Sequence, residues 1–219
     1  MDNVSFTEHI LQGLIFVHAA LGGFALVAGL VAMSSKKGRA VHKKAGRIFY
    51  YALLSSALIA LVVTLMPNHT SPFFFCISLL TLYLLISGKR SLSMKSSEHA
   101  LIADRILAIL IIITGIGMIL YPLFLYGKMN LILLVFGLVS CLFGLLDLYV
   151  YRSPAVSQKH FLKLHLSKMT GAYIATVTAF TVVNKFFSGL LSWFLPSILG
   201  TLLIIYWLFK FSNRRTRSA

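Results

Sequence analysis

The sequence predicts an all-α, polytopic membrane bundle of seven transmembrane helices, and three observations carry that reading. The 219 residues are 58% hydrophobic and only 11% charged. Several apolar runs approach or exceed the roughly 20 residues needed to cross a hydrocarbon core. The charged residues sit between these runs rather than along one polar face, which is the pattern of membrane topology. No stretch is left over for a folded soluble domain. The organisation expected is therefore one transmembrane helical domain over 1–211 and a basic tail over 212–219.

The elements follow in chain order. The opening M-D-N-V-S-F-T-E-H is acidic where a signal peptide is basic, so the first apolar run, Ile10 to Met33, is expected to be a retained helix. Within it His18, Gly22, Ala25 and Gly29 recur on one helical face, a surface suited to close helix packing. The basic loop S-S-K-K-G-R-A-V-H-K-K-A-G-R leads to a second span, Ile48 to Met66. That span stops at P-N-H-T-S-P, where Pro67 and Pro72 disfavour a continuous helix. A short third span, Phe73 to Ser87, precedes the basic loop G-K-R-S-L-S-M-K-S-S-E-H. The fourth, Ile106 to Tyr126, is headed by Asp104 and Arg105, and the fifth, Leu131 to Tyr151, carries Asp147 near its end. The sixth emerges from a basic, histidine-bearing segment and runs to Val183; the seventh covers Leu190 to Phe211.

Orientation follows from counting cations. Seven spans place every Lys and Arg except Lys128 and Lys185 on one side, with Lys168 assigned to the third basic loop. The positive-inside rule then puts the N-terminus outside and the C-terminus in the cytoplasm. Tyr121, Tyr126, Tyr149, Tyr151, Trp193 and Trp207 fall near span ends, as interfacial aromatics do. The formal charge of +15 is accounted for by this topology, which excludes a nucleic-acid footprint. Cys76 and Cys141 lie inside apolar runs and read as packing residues.

Candidate chemistry rests on histidines and carboxylates. Spans one to six read as three hairpins, each returning helix preceded or opened by a histidine: His42, His99 and His165, followed by Arg47, Arg105 and Lys168. In the sixth span His165, Met169, Ala172, Thr176 and Ala179 share one face, which points His165 into the bundle. Together with His160, Glu98, Asp104 and Asp147 these form a candidate polar cluster at the cytoplasmic ends of the spans. Asp147 stands out, because ionisable groups near hydrocarbon are costly and face a partner or a cavity. Its plain reading is a salt bridge to Arg47, Arg105 or Arg152.

Three sharper readings compete with interfacial histidines. Haem b could be clamped by two imidazoles drawn from His18, His42, His99 and His165, although His42 is shallow and His18 lies towards the opposite side. A divalent metal ion could take His42, His99 and His165, with Glu98 or Asp147 as a further ligand or base, but no local H-E-x-x-H signature accompanies them. Transport of a small solute or ion through a His/Asp-lined cavity is the third.

The segment H-A-A-L-G-G-F-A-L-V-A-G with K-K-G-R-A-V-H-K-K-A-G-R-I-F-Y resembles the opening of a bacterial membrane family, the domain of unknown function numbered twenty-three-oh-six. The later H-L-S-K-M-T-G-A-Y-I-A-T-V-T-A-F resembles that family's second histidine block, with Lys168 standing where arginine is expected. The resemblance implies functional positions at His18, His42 and His165, and framework positions at Gly38, Gly46 and Met169. It brings no established activity. The leading expectation is a histidine-bound haem or metal ion serving electron transfer or membrane redox chemistry. The alternatives are a transporter or channel and a non-catalytic subunit. The lipid bilayer is the expected partner, with membrane partner subunits or a homo-oligomer as further candidates and no nucleic acid.

Overall fold

The computed structural model describes the backbone of residues 2–96 and 98–216, and the side chains of residues 8–96 and 98–209. Among the described residues the chain is helical without strands: α1 Asp2–Ser34, α2 Ala40–Val63, α3 Pro72–Arg90, α4 Ile102–Tyr126, α5 Leu131–Val150, α6 Pro154–Val183 and α7 Leu191–Thr216. A short 3₁₀ turn, Ser91–Lys95, follows α3. Each of the seven α-helices is long and apolar enough to cross a membrane.

Helix starts differ from the sequence expectation where polar residues lead into apolar runs. α2 begins at Ala40, so His42 and Arg47 lie on the helix rather than in the loop before it. Gly38 makes this compact entry with φ +78, a conformation that costs a residue without a Cβ little. α6 begins at Pro154, preceded by Ser153 as N-cap, whose hydroxyl accepts from the Val156 amide. The basic segment from Lys159 to Lys168 is therefore helical. Asn130 opens α5 in the same way, its side-chain oxygen accepting from Ile132 and Leu133. At the far end α7 continues to Thr216, into the stretch read from sequence as a tail; residues 217–219 lie outside the described residues.

The chain divides into two compact units: Met1–Tyr83 with Ile109–Gly144, and Leu84–Ala108 with Leu145–Ala219. In the first unit α1 and α2 form an antiparallel hairpin whose buried faces carry Ala25, Ala28 and Ala32 on one helix and Ala45, Phe49, Leu53 and Ala57 on the other. Small side chains let the helices approach. The His18 ring donates from Nδ1 to the Ser56 carbonyl at 2.9 Å, while the Ser56 hydroxyl donates to the His18 carbonyl at 3.0 Å. Large apolar side chains face outward, with Phe24 67% and Phe124 80% exposed. This inversion of the soluble pattern suits a lipid surround, where packing of small residues holds helices together.

Another close crossing in this unit joins α4 to α5. A Cβ on Gly115 would lie 2.6 Å from the Gly137 carbonyl oxygen and 2.8 Å from Cys141 Sγ; one on Gly137 would lie 2.7 Å from the Gly115 carbonyl oxygen. Backbone meets backbone here, so neither glycine can gain a methyl group without separating the helices. Gly115→Ala and Gly137→Ala are each expected to destabilise the detergent-solubilised protein by about 1–3 kcal/mol, read as a lowered thermal midpoint. Gly117→Ala, a position where a Cβ meets nothing within 4 Å, should leave the midpoint unchanged.

Candidate functional site

The second unit collects the ionisable groups that the sequence scatters. It is built on a core of Met94, Leu101, Ala108, Tyr151 and Leu164, joining the 3₁₀ turn, the entry to α4, the end of α5 and the middle of α6. α6 can come close because of Gly88: a Cβ there would sit 2.9 Å from Met169 Sδ and 3.0 Å from Lys168 Cβ. His165 Nδ1 donates to the Gly88 carbonyl at 2.7 Å, fixing α6 against the last turn of α3.

That approach carries Lys168 into the interior. Its side chain is 1% exposed and its Nζ lies 2.8 Å from Oδ2 of Asp147, itself 1% exposed. The sequence reading of Lys168 as a loop cation is therefore corrected, and so is the proposed arginine partner for Asp147. Arg105 instead donates from Nε and Nη2 to the Tyr151 carbonyl at 3.0 and 2.7 Å. Arg152 lies over the Tyr149 ring at 4.3 Å, and Arg47 belongs to the first unit.

Tyr151 completes the group. Read from sequence as an interfacial aromatic, it is fully buried, and its hydroxyl donates to Asp147 Oδ2 at 3.1 Å. Burial, then the adjacent carboxylate charge, pushes the Tyr151 phenol well above its ordinary range. The phenol consequently stays protonated and remains a donor. Removing an ammonium and a carboxylate from water costs several kcal/mol per ion, and a contact of 2.8 Å with a second donor on the carboxylate offsets it. Asp147 lies one turn from the end of α5, a helix of 20 residues that matches the hydrocarbon thickness. The pair thus sits just inside a span boundary, at the end where α5 enters a basic loop.

A second ionic group surrounds Asp104, whose side chain is fully buried. Arg90 embraces it through Nε–Oδ1 at 2.8 Å and Nη2–Oδ2 at 3.0 Å, and His99 Nε2 donates to Oδ2 at 2.8 Å. The two-pronged guanidinium matches the carboxylate plane and ties the end of α3 to the start of α4. Arg105, the next residue, is exposed overall and holds the Tyr151 carbonyl through its guanidinium, so neighbouring side chains connect to both ionic groups.

The remaining sequence-predicted positions fall as follows. His18 and His42 belong to the first unit, and His99, His165, Glu98 and Asp147 to the second. His42 donates from Nδ1 to the Ala32 carbonyl at 2.9 Å, at the C-terminal turn of α1. Lys37 reaches the carbonyls of Ala32 and Met33 at the same helix end. Partial burial holds the Lys37 amine below its usual range. Glu98 is exposed, its amide donating to Ser96 Oγ at 3.3 Å, and His160 donates to the Val156 carbonyl one turn back. Of the small-residue face on α6, Ala172 and Thr176 are buried, His165 and Met169 are half-buried and Ala179 is exposed. Among the described residues no three His, Cys, Asp or Glu side chains come together as a metal-holding group.

Lys168, Tyr151, Arg90 and Gly88 are the candidate-site residues that sequence reasoning missed. Helical geometry holds a usable signal for two of them. At 100° per residue Lys159 and Lys163 share a face, whereas Lys168 is turned about 140° from Lys163. Tyr151 follows Asp147 by four residues and so lies on the same face. For Arg90 and Gly88 the signal is tertiary.

Comparison with protein-family models, with curated proteins and with solved structures finds no match to this chain. What the fold and the site define is a class: a multi-pass helical membrane protein with two buried ionic groups in one unit. Lys168→Met is expected to cost about 3–5 kcal/mol by stranding the Asp147 carboxylate. Joining it to Asp147→Leu should restore most of that loss, as thermal or denaturant unfolding in detergent would show. Tyr151→Phe should cost only about 1 kcal/mol, one hydrogen bond.

Proposed function

We propose that this membrane protein moves a small solute or ion across the bilayer, with the Asp147–Lys168 pair as the group that takes up and releases a coupling proton. One observation carries the reading: a carboxylate and an ammonium, each almost wholly buried, are held 2.8 Å apart within membrane-spanning helices. For stability alone, apolar residues of similar volume serve as well or better than a buried ion pair. Ionisable groups kept inside a membrane bundle therefore point to proton or ion handling. The chemistry is simple. Protonating Asp147 removes the counter-charge of Lys168 and leaves the buried site with one net positive charge, that of the proton taken up. The uncompensated ammonium favours opening of the pair to water or an anion, and release of the proton from Asp147 restores the pair, which couples proton occupancy to access. The asymmetry of Lys and Arg supports an orientation with the basic loops, and hence the pair, at the cytoplasmic face of a bacterial inner membrane.

The test is flux in proteoliposomes carrying an internal pH-sensitive dye, challenged with a panel of ions and small solutes under an imposed proton gradient. At least one solute should move together with protons in the wild type. Asp147→Asn and Lys168→Met should slow that movement more than about tenfold, a rise of ~1.4 kcal/mol or more in the barrier. Flux no greater than that of empty liposomes, or unchanged flux in both variants, overturns the reading.

A second reading is favoured by the histidines. His42 and His165 each donate Nδ1–H to a backbone carbonyl, the arrangement that fixes the tautomer and directs Nε2 as a ligand nitrogen. Haem b or a divalent metal ion held through one such nitrogen, with its other ligands drawn from the same unit, would make the chain a membrane redox component. An absorption spectrum and metal analysis of the purified protein decide it. The expected result is a Soret band or stoichiometric metal that His42→Ala or His165→Ala abolishes, and a colourless, metal-free protein would overturn it.

A further inference from the structure

The α1–α2 hairpin contains an open groove of about 450 Å³, walled by Leu21 and Phe24 of α1 and by Ile48 and Ala52 of α2, with Arg47 and Tyr51 along its side. Phe24, Ile48 and Tyr51 are each about half exposed or more. The groove is mostly apolar, with Ser55 as a further polar lining residue, and it is cationic at Arg47. Lys43 and Lys44 precede Arg47 by four and three residues, so they stand one turn nearer the loop on the same side of α2. Lys36 and Arg39 continue the charge into the loop itself. Residues 9–70 contain no Asp or Glu, and among the described residues Arg47 has no ion-pair partner.

These features select one occupant. An acidic protein or a nucleic acid would meet the loop cations but not an apolar channel that continues between lipid-facing helices. A zwitterionic lipid would fill the channel and offer a phosphate, but its ammonium would bring a positive charge up to Lys43 and Lys44. We infer that the α1–α2 groove binds an anionic phospholipid, with one acyl chain against Leu21, Phe24, Ile48 and Ala52 and the phosphate met by the Arg47 guanidinium. Arg47 lies about 10 Å along α2 from Ala40. Its long side chain reaches back from that depth toward the headgroup layer, where Lys43 and Lys44 add positive charge. A guanidinium presents paired donors to phosphate oxygens, which an ammonium does not. The Tyr51 ring, one turn deeper, supplies an amphipathic wall where chain meets headgroup.

The experiment uses the full chain in a neutral detergent, with bound lipid counted by native mass spectrometry while phosphatidylglycerol and phosphatidylcholine of equal chain length are titrated. Wild type should favour phosphatidylglycerol by about fivefold or more, the worth of a basic side chain at an anionic headgroup layer. Arg47→Gln should bring the two lipids to equal occupancy, and Phe24→Ala should weaken both by a similar factor. Both sites are exposed, and unchanged helical circular dichroism confirms that each variant is folded. Equal binding of the two lipids by the wild type overturns the inference, as does a preference that survives Arg47→Gln. Unaltered occupancy in Phe24→Ala removes the acyl chain from the groove and also overturns it. Glycerol 3-phosphate should displace nothing; displacement would assign the cation site to a soluble phosphate instead.

Discussion

The close approach of α6 to the end of α3 at Gly88 governs the second unit. Without a side chain at that position, Lys168 and Met169 can come within a methyl group's distance of the α3 backbone, and His165 can reach the Gly88 carbonyl. The cost of the approach is a buried ammonium. Asp147 meets it from α5, and Tyr151 holds the same carboxylate oxygen from one turn further along. The aromatic body of Tyr151 is also the largest side chain in the unit's fully buried core. Packing and charge are therefore not separable here: the residue that fills the core also orients the anion. Leaving either charge alone in this setting would be far worse than burying neither.

A common device finishes the helices that end at basic loops. Each presents carbonyls with no partner inside the helix, at the negative end of its dipole. Lys37 and His42 satisfy those of α1, His165 reaches the last turn of α3, and Arg105 holds the carbonyl just beyond α5. The cations and imidazoles that set topology by their number thus also tie helix ends to neighbouring segments of the chain. This explains why two of the histidines that recur at the returning helices have their Nδ1 committed to the backbone. It also leaves their second nitrogen as the atom on which any ligand role depends.

The two units carry different kinds of polar feature. In the second, charges are paired, buried and anchored to several helices, a setting in which a proton has large consequences because water cannot screen it. In the first, positive charges stand at the mouth of an open apolar groove, in a stretch from residue 9 to residue 70 that has no Asp or Glu. A buried pair suits an event inside the protein, and an exposed cation beside a lipid-facing groove suits recognition of the surrounding bilayer. Both follow from how few carboxylates the chain has: with five Asp and Glu for twenty Lys and Arg, each buried anion is committed to the second unit's helices.

The sequence by itself determined the class and order of the helices, because the length and polarity of apolar runs are set by the thickness of hydrocarbon and need no tertiary context. It also marked Asp147 as exceptional, since a carboxylate beside hydrocarbon is costly wherever it points. It misplaced Lys168 and Tyr151, because a count of charges and aromatics along a line ignores the turn of the helix that separates Lys168 from Lys163. Helix starts at Ala40 and Pro154 were hidden in polar segments, which hydropathy reads as loops although capping and N-terminal proline allow a helix there. Only the tertiary structure decided which ions pair. Arg90, His99 and Asp104 meet because two helix ends converge, and Lys168 finds Asp147 because a glycine on a third helix leaves room. Such pairings depend on distances across the bundle, which no spacing along the chain encodes.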